Sequence, residues 1–262
     1  MTERKRIGIM ISGSGTNMQA IVRACEIGHV DADVVFVESD SPDASGLVWA
    51  RERQIPTFVE DYKERKLLVK HRRVDNTWMP DDDLTLHVYE KSTFVCDWFN
   101  GNRSKQLEYI RQKIASEYYI LAKAREYRID LLVLAGFMQV CTSFLIDAMS
   151  GGDNDPRIMN IHPALLPSFP GVDGYGDTIR YGCKVGGCTV HFVDYGEDTG
   201  PIIGQRAIPV LPDDDVDSFR KRGLQEEYKL FPECIQLFVQ NRLKLETVKQ
   251  SDDLMRKIVK IS

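Results

Sequence analysis

The chain has 262 residues, 43% hydrophobic and 28% charged, with a net charge of −5. That length and composition suit one large folded α/β domain. The acidic balance argues against a general nucleic-acid surface, and no apolar run is long enough to span a bilayer. The first apolar run, Ile7 to Ile11, is too short for a secretion signal, so a cytoplasmic protein is expected. Its cysteines, Cys25, Cys96, Cys141, Cys183, Cys188 and Cys234, form no C-x-x-C pair and read as reduced thiols, neither a disulfide framework nor a zinc site.

Ile7 to Ile11 reads as a buried strand that stops at Ser12-Gly13-Ser14-Gly15-Thr16-Asn17. A helical pattern follows, with Met18, Ile21, Val22 and Cys25 on one face. Strand, glycine loop and helix form the order in which backbone N–H groups cradle a phosphate. Met18 stands where a dinucleotide fingerprint needs its third glycine, and no Gly-Lys-Ser/Thr follows, so a monophosphate held by Gly15, Thr16 and Asn17 fits better. Asp33 to Val37 reads as a second strand, and Gly46 to Gln54 as a helix stopped before Pro56. The alternation predicts a mostly parallel sheet with right-handed crossovers and ligands beyond the strands' carboxyl ends.

From Asp61 to Ser104 the pattern breaks into an excursion within a single domain spanning 1–262. A hairpin is expected around Leu84 to Val95, Asp81-Asp82-Asp83 reads as a solvated loop, and Trp78, Phe94, Trp98 and Phe99 imply packing on some neighbour. Gln106 to Tyr127 returns to helical spacing, Asp130 to Ala135 is a buried strand ended by Gly136, and Thr142 to Met149 is a helix.

Ile158 to Ile161 is a short strand that places Asn160 and His162 on one side. Ala164 to Pro170 reads as an irregular wall, and Gly171 to Tyr175 as a mobile flap. A strand from Gly187 to Val193, in which His191 reads as structural, leads to Asp198 on a glycine-flanked loop. An amide, an imidazole and a carboxylate without a nucleophilic side chain suit direct attack of an amine on a carbonyl carbon. Asn160 and His162 would hold the oxyanion while Asp198 fixes the imidazole's tautomer and charge. Ile202 to Val210 is a further strand, Ser218 to Asn241 a long helix kinked or broken at Pro232, and Lys244 to Val248 a terminal strand.

Taken in order, Ile11 to Asn17, Leu134 to Met138, Asn160 to Pro167, His191 to Val193 and Asp198 to Ile202 resemble the folate-dependent formyltransferase family, in the branch that acts on glycinamide ribonucleotide. The resemblance covers residues 5–60 and 105–245 and implies a Rossmann-like α/β fold, a mostly parallel sheet with helices on both faces. It implies transfer of the formyl group of 10-formyltetrahydrofolate to the ribonucleotide amine in purine synthesis, through a tetrahedral intermediate and without a metal. Both partners are then small molecules. Asn160, His162 and Asp198 match the family's catalytic trio, and Gly15, Thr16 and Asn17 its phosphate loop. Glu227 matches its ribose-holding acid, and Met138, Gln139, Val140, Val193, Tyr195 and Glu197 its folate pocket. Gln139 stands where many members have arginine, and Asp173 and Tyr175 stand where histidines are common. The alternatives are a formyltetrahydrofolate hydrolase, a relative that formylates a sugar nucleotide, and a non-catalytic nucleotide-binding module. The early first strand and the monophosphate loop favour the transferase over the first two.

Overall fold

The computed structural model describes residues 4–62, 64, 79–92, 95, 98–152, 154–250 and 254–262. Seven strands form one sheet: β1 (Lys5–Ile11), β2 (Ala32–Ser39), β3 (Thr57–Val59), β4 (Leu131–Leu134), β5 (Ile158–His162), β6 (Val185–Phe192) and β7 (Ile202–Pro209). Their order is β3-β2-β1-β4-β5-β6-β7. The first five run parallel, as the alternating pattern predicts, and β6 and β7 add antiparallel.

Helices cover both faces because β1 is apolar on both. Ile7, Ile9 and Ile11 pack under α1 (Thr16–Glu26), α2 (Ser45–Glu52) and the long C-terminal helix, while Met10 points to the opposite side. There it joins Ile120, Leu121 and Ala124 of the helix Arg103–Glu126 and Leu145, Ile146 and Met149 of the helix Ser143–Met149. Gly8 shares that face, and a Cβ on it would lie 2.4 Å from the Phe36 ring, so the ring fills the space a side chain would need. Gly8→Ala is expected to destabilise the fold by about 1–3 kcal/mol through overpacking. A urea denaturation midpoint equal to wild type would show that Phe36 yields freely.

Within the excursion, the expected hairpin is a helix instead: α3 spans Asp82–Lys91. Leu84, Leu86 and Val88 alternate like a strand, but Asp81 accepts from the Leu84 N–H as an N-cap, and Asp82 and Asp83 lie in the first turn. The acidic run is therefore a helix start, and Leu84 and Val88, one turn apart, pack on Ile110 and Ile114 of α4 (Arg103–Glu126). Trp98 and Phe99 pack on Tyr109 of the same helix, with ring centroids 5.3 and 5.8 Å apart. Lys63, Arg65, Lys66, His71, Arg72, Arg73, Trp78 and Phe94, which the sequence reading also assigned to this excursion, lie outside the described residues.

Two further corrections and one addition concern the second half. After α5 (Ser143–Met149), the expected flap is in part a helix, α6 (Gly174–Arg180), and Tyr175 is 2% exposed. Its ring packs against Phe219 and over Gly223, where a Cβ would lie 2.2 Å from it. The long helix α7 (Val216–Val239) runs unbroken through Pro232. Leu230, Phe231, Cys234 and Ile235 bury its apolar face in the core, and that packing offsets the one N–H bond proline forgoes. The expected terminal strand is half of a separate antiparallel pair, β8 (Leu243–Lys249) with β9 (Met255–Ile261). Among the described residues no helix is long and apolar enough to cross a membrane, and no cluster of metal-ligating side chains occurs.

Candidate active site

The strand order reverses between β1 and β4, and the loops that leave their carboxyl ends diverge there, as expected for a ligand crevice in an open α/β sheet. A cavity of about 510 Å³ opens at this point, lined by residues of both loops, β5, the loop after β6, and α7. Ser12 ties the two loops together: its N–H donates to Gly136 O at 3.0 Å and its hydroxyl accepts from the Met138 N–H at 2.8 Å.

On one side, β5 presents Asn160 and His162 together. The antiparallel register of β6 sets His191 opposite Asn160, a neighbour that reading His191 as structural missed. Asp198 sits in the following loop at φ 53. Gly200 permits that loop to fold back, since a Cβ there would lie 1.8 Å from Phe192 O. Asp198 Oδ2 accepts from His162 Nδ1 at 3.1 Å and from the Gly171 N–H at 2.9 Å, and Oδ1 faces Asn160 Nδ2 at 3.4 Å and His191 Nε2 at 3.6 Å.

His162 meets an acceptor at each ring nitrogen, because Nε2 lies 2.7 Å from Phe169 O. A neutral imidazole has only one N–H, so both contacts are satisfied only by the imidazolium. Burial by itself lowers the His162 pKa, but the hydrogen bond and charge of Asp198, the Phe169 carbonyl and the charge of Glu227 outweigh it and raise the pKa. Burial likewise opposes ionisation of Asp198, and the hydrogen bond and charge of His162, with the Gly171 N–H, hold its carboxyl well below the usual range. His191 Nδ1, 2.8 Å from Phe192 O, donates to that carbonyl and leaves Nε2 to accept from Asn160 Nδ2 at 3.3 Å.

On the other side, Gly15 (φ 64) turns the chain into α1, whose first N–H groups, on Thr16, Asn17 and Met18, lack helical partners and have no side-chain cap. Gly15, Thr16 and Asn17 all line the cavity. The Asn17 side chain, however, is committed to Glu227: its Nδ2 donates to Glu227 Oε2 at 2.6 Å, and Tyr175 OH donates to Oε1 at 2.6 Å. Asn17 Oδ1 is buried without a partner among the described residues, so an acceptor is left at the cavity wall. Burial pushes the Glu227 carboxyl pKa up against the hydrogen bonds from Tyr175 and Asn17.

Residues 5–235 match the family model described as formyl transferase. The chain belongs to the formyl transferase family. Among its relatives, the phosphoribosylglycinamide formyltransferase of Haemophilus influenzae is 31% identical over 92% of this chain and 91% of its own length. The trifunctional purine biosynthetic protein adenosine-3 of Drosophila melanogaster is 33% identical over 90% of this chain, which spans only 14% of that protein. The crystal structure of glycinamide ribonucleotide transformylase 1 from Symbiobacterium toebii superposes with a TM-score of 0.71 at 33% identity, covering 100% of this chain and 95% of the other.

In this formyl transferase, Met138, Gln139, Val140, Val193 and Glu197 line the cavity. The Gln139 side chain donates to Asp40 Oδ2 at 2.9 Å. Tyr195 does not line it: its hydroxyl bonds Asp147 and its ring faces Lys91, which draws it off the cavity wall. The sequence reading also missed Arg220, which belongs to no recognisable motif yet shares the cavity face of α7 with Leu224 and Glu227. Their i, i+4, i+7 spacing was the available signal.

Proposed function

We propose that this formyl transferase moves the formyl group of 10-formyltetrahydrofolate to the amine of 5-phosphoribosylglycinamide, a step of purine synthesis. The observation that carries the reading is the imidazole of His162, bracketed by two acceptors beside Asn160, in the wall of a cavity that an uncapped helix N-terminus also lines. The donor supplies an electrophilic formyl carbon. The pocket fits a flat, largely apolar donor: Leu134, Met138, Val140 and Val193 form one wall, and loop backbone groups supply polar edges. The free N–H groups of Thr16, Asn17 and Met18 suit a phosphate, and the acceptor oxygens of Asn17 and Glu227 suit sugar hydroxyls.

The new bond joins the amine nitrogen to the formyl carbon, the bond from that carbon to the folate nitrogen breaks, and the proton lost by the amine ends on the folate nitrogen. Negative charge builds on the formyl oxygen. Asn160 can turn its amide toward it because its present bonds, at 3.3 and 3.4 Å, lie at the long, weak end. His162 reaches the same oxygen once the Phe169 carbonyl yields Nε2, and Asp198 keeps the ring charged throughout.

A product assay tests the reading. N-formylated ribonucleotide should appear in step with donor consumption, whereas release of free formate without it would favour the hydrolase. Asn17→Ala should raise KM for the ribonucleotide with little change in kcat, since it loosens Glu227 and the hydroxyl acceptors without touching the reacting carbon. Unchanged affinity would remove the loop from the acceptor site.

A further inference from the structure

The cavity is poor in positive charge. Its described lining carries the acidic side chains of Asp173, Asp194, Glu197, Asp198 and Glu227 against a single arginine, Arg220, and no lysine, the His162 imidazolium being already paired with Asp198. A phosphate monoester brings about −1.5 to −2 charges at neutral pH, and a helix N-terminus answers with only about half a positive charge. An acidic pocket that accepts such a group needs a full cation, and Arg220 is the candidate in place.

Its setting supports this. Arg220 and Glu227 lie on one face of α7, roughly 10 Å apart along the axis, and Glu227 marks the start of α1 through its bond to Asn17. Between them stands Leu224, which offers no polar group. The Arg220 head is held by carboxylates, with Nη2 3.1 Å from Asp173 Oδ1 and Nη1 3.3 Å from Asp217 Oδ1, and its side chain is 43% exposed, so it is free to swing on its stem. Asp173 would not be stranded if Arg220 left, because its Oδ2 also accepts from Arg180 Nη2 at 2.8 Å.

We propose that Arg220 selects for a phosphorylated acceptor by exchanging the Asp173 carboxylate for the acceptor's phosphate. The exchange trades a singly charged partner for one of nearly twice the charge, in a geometry a guanidinium matches with paired hydrogen bonds. The proposal rests on the acceptor named above.

Steady-state kinetics with 5-phosphoribosylglycinamide and with its dephosphorylated riboside test it, alongside calorimetric binding of ribose 5-phosphate in the absence of formyl donor. Arg220→Met should raise KM for the phosphorylated acceptor about tenfold or more, the loss expected for a charge-assisted hydrogen bond. KM for the riboside and for the donor should stay within about twofold of wild type, because neither meets the arginine. Arg220→Lys should recover part of the loss, and Asp173→Asn should lower KM by removing the competing carboxylate. A smaller rise in Arg220→Met, or an equal penalty on the riboside, overturns the role of Arg220. If wild type formylates neither acceptor, the proposed function fails instead, and ribose 5-phosphate affinity alone then decides Arg220: a loss in Arg220→Met supports the phosphate contact, equal affinity overturns it.

Discussion

His162→Ala should lower kcat for formyl transfer by about 10²–10⁴-fold, the range a positioned proton donor or charged hydrogen bond contributes. His162 is 2% exposed, its two nitrogens face Asp198 and Phe169 O, and it stands beside Asn160 on the same strand side. Removing the ring deletes the group placed to meet the developing oxyanion, while leaving the apolar wall and the α1 N-terminus intact. KM for both substrates should therefore change far less than kcat. Because alanine also removes the charged partner of the buried Asp198 carboxylate, His162→Gln serves as a second variant that keeps a hydrogen-bond donor without the charge. Its melting temperature should stay nearer wild type and its kcat should still fall. Rates equal to wild type in both variants would remove His162 from the chemistry.

Asp198→Asn should lower kcat by roughly 10²-fold and shift its pH dependence. Asp198 raises the His162 pKa through a hydrogen bond and its negative charge, against the burial that lowers it. Activity that needs the imidazolium is present below that raised pKa and is lost as pH climbs through it. Asparagine retains an oxygen for Nδ1 but no charge, so the alkaline limb of the kcat profile should move to lower pH. An unaltered profile would show that Asp198 does not tune the ring. Stability follows the same pair. The folded pKa of Asp198 is lowered and that of His162 raised, so their mutual stabilisation is fully present between the unfolded values, about 3.9 and 6.5. It is lost as pH falls through the folded Asp198 value or rises through the folded His162 value. In Asp198→Asn the urea midpoint should vary less across both ranges.

Much of this was legible before any coordinates. β1, the glycine loop and α1 declare themselves by a switch from a continuous apolar run to helical spacing, and β5 places Asn160 and His162 together by strand periodicity alone. The misreadings have local causes. The alternation of Leu84, Leu86 and Val88 imitates a strand until the Asp81 cap and the surface of α4 decide for helix. The glycines of 171–176 look like a flap, yet Gly174 and Gly176 belong to a helix whose Tyr175 is locked over Gly223.

The residues of this chain, taken alone, determine the parallel strands that alternate with helices, the family resemblance and the placing of Asn160 and His162 on one strand side, because these are written in short-range periodicity and contiguous motifs. Which groups meet was decided by the folded chain. His191 reaches Asn160 across 31 positions only through the register of β6 on β5, and Asn17 meets Glu227 across 210 only because α7 packs back beside α1. Contacts of that kind depend on how whole elements dock, and docking minimises exposed apolar area over the entire core, a quantity no single stretch of sequence contains.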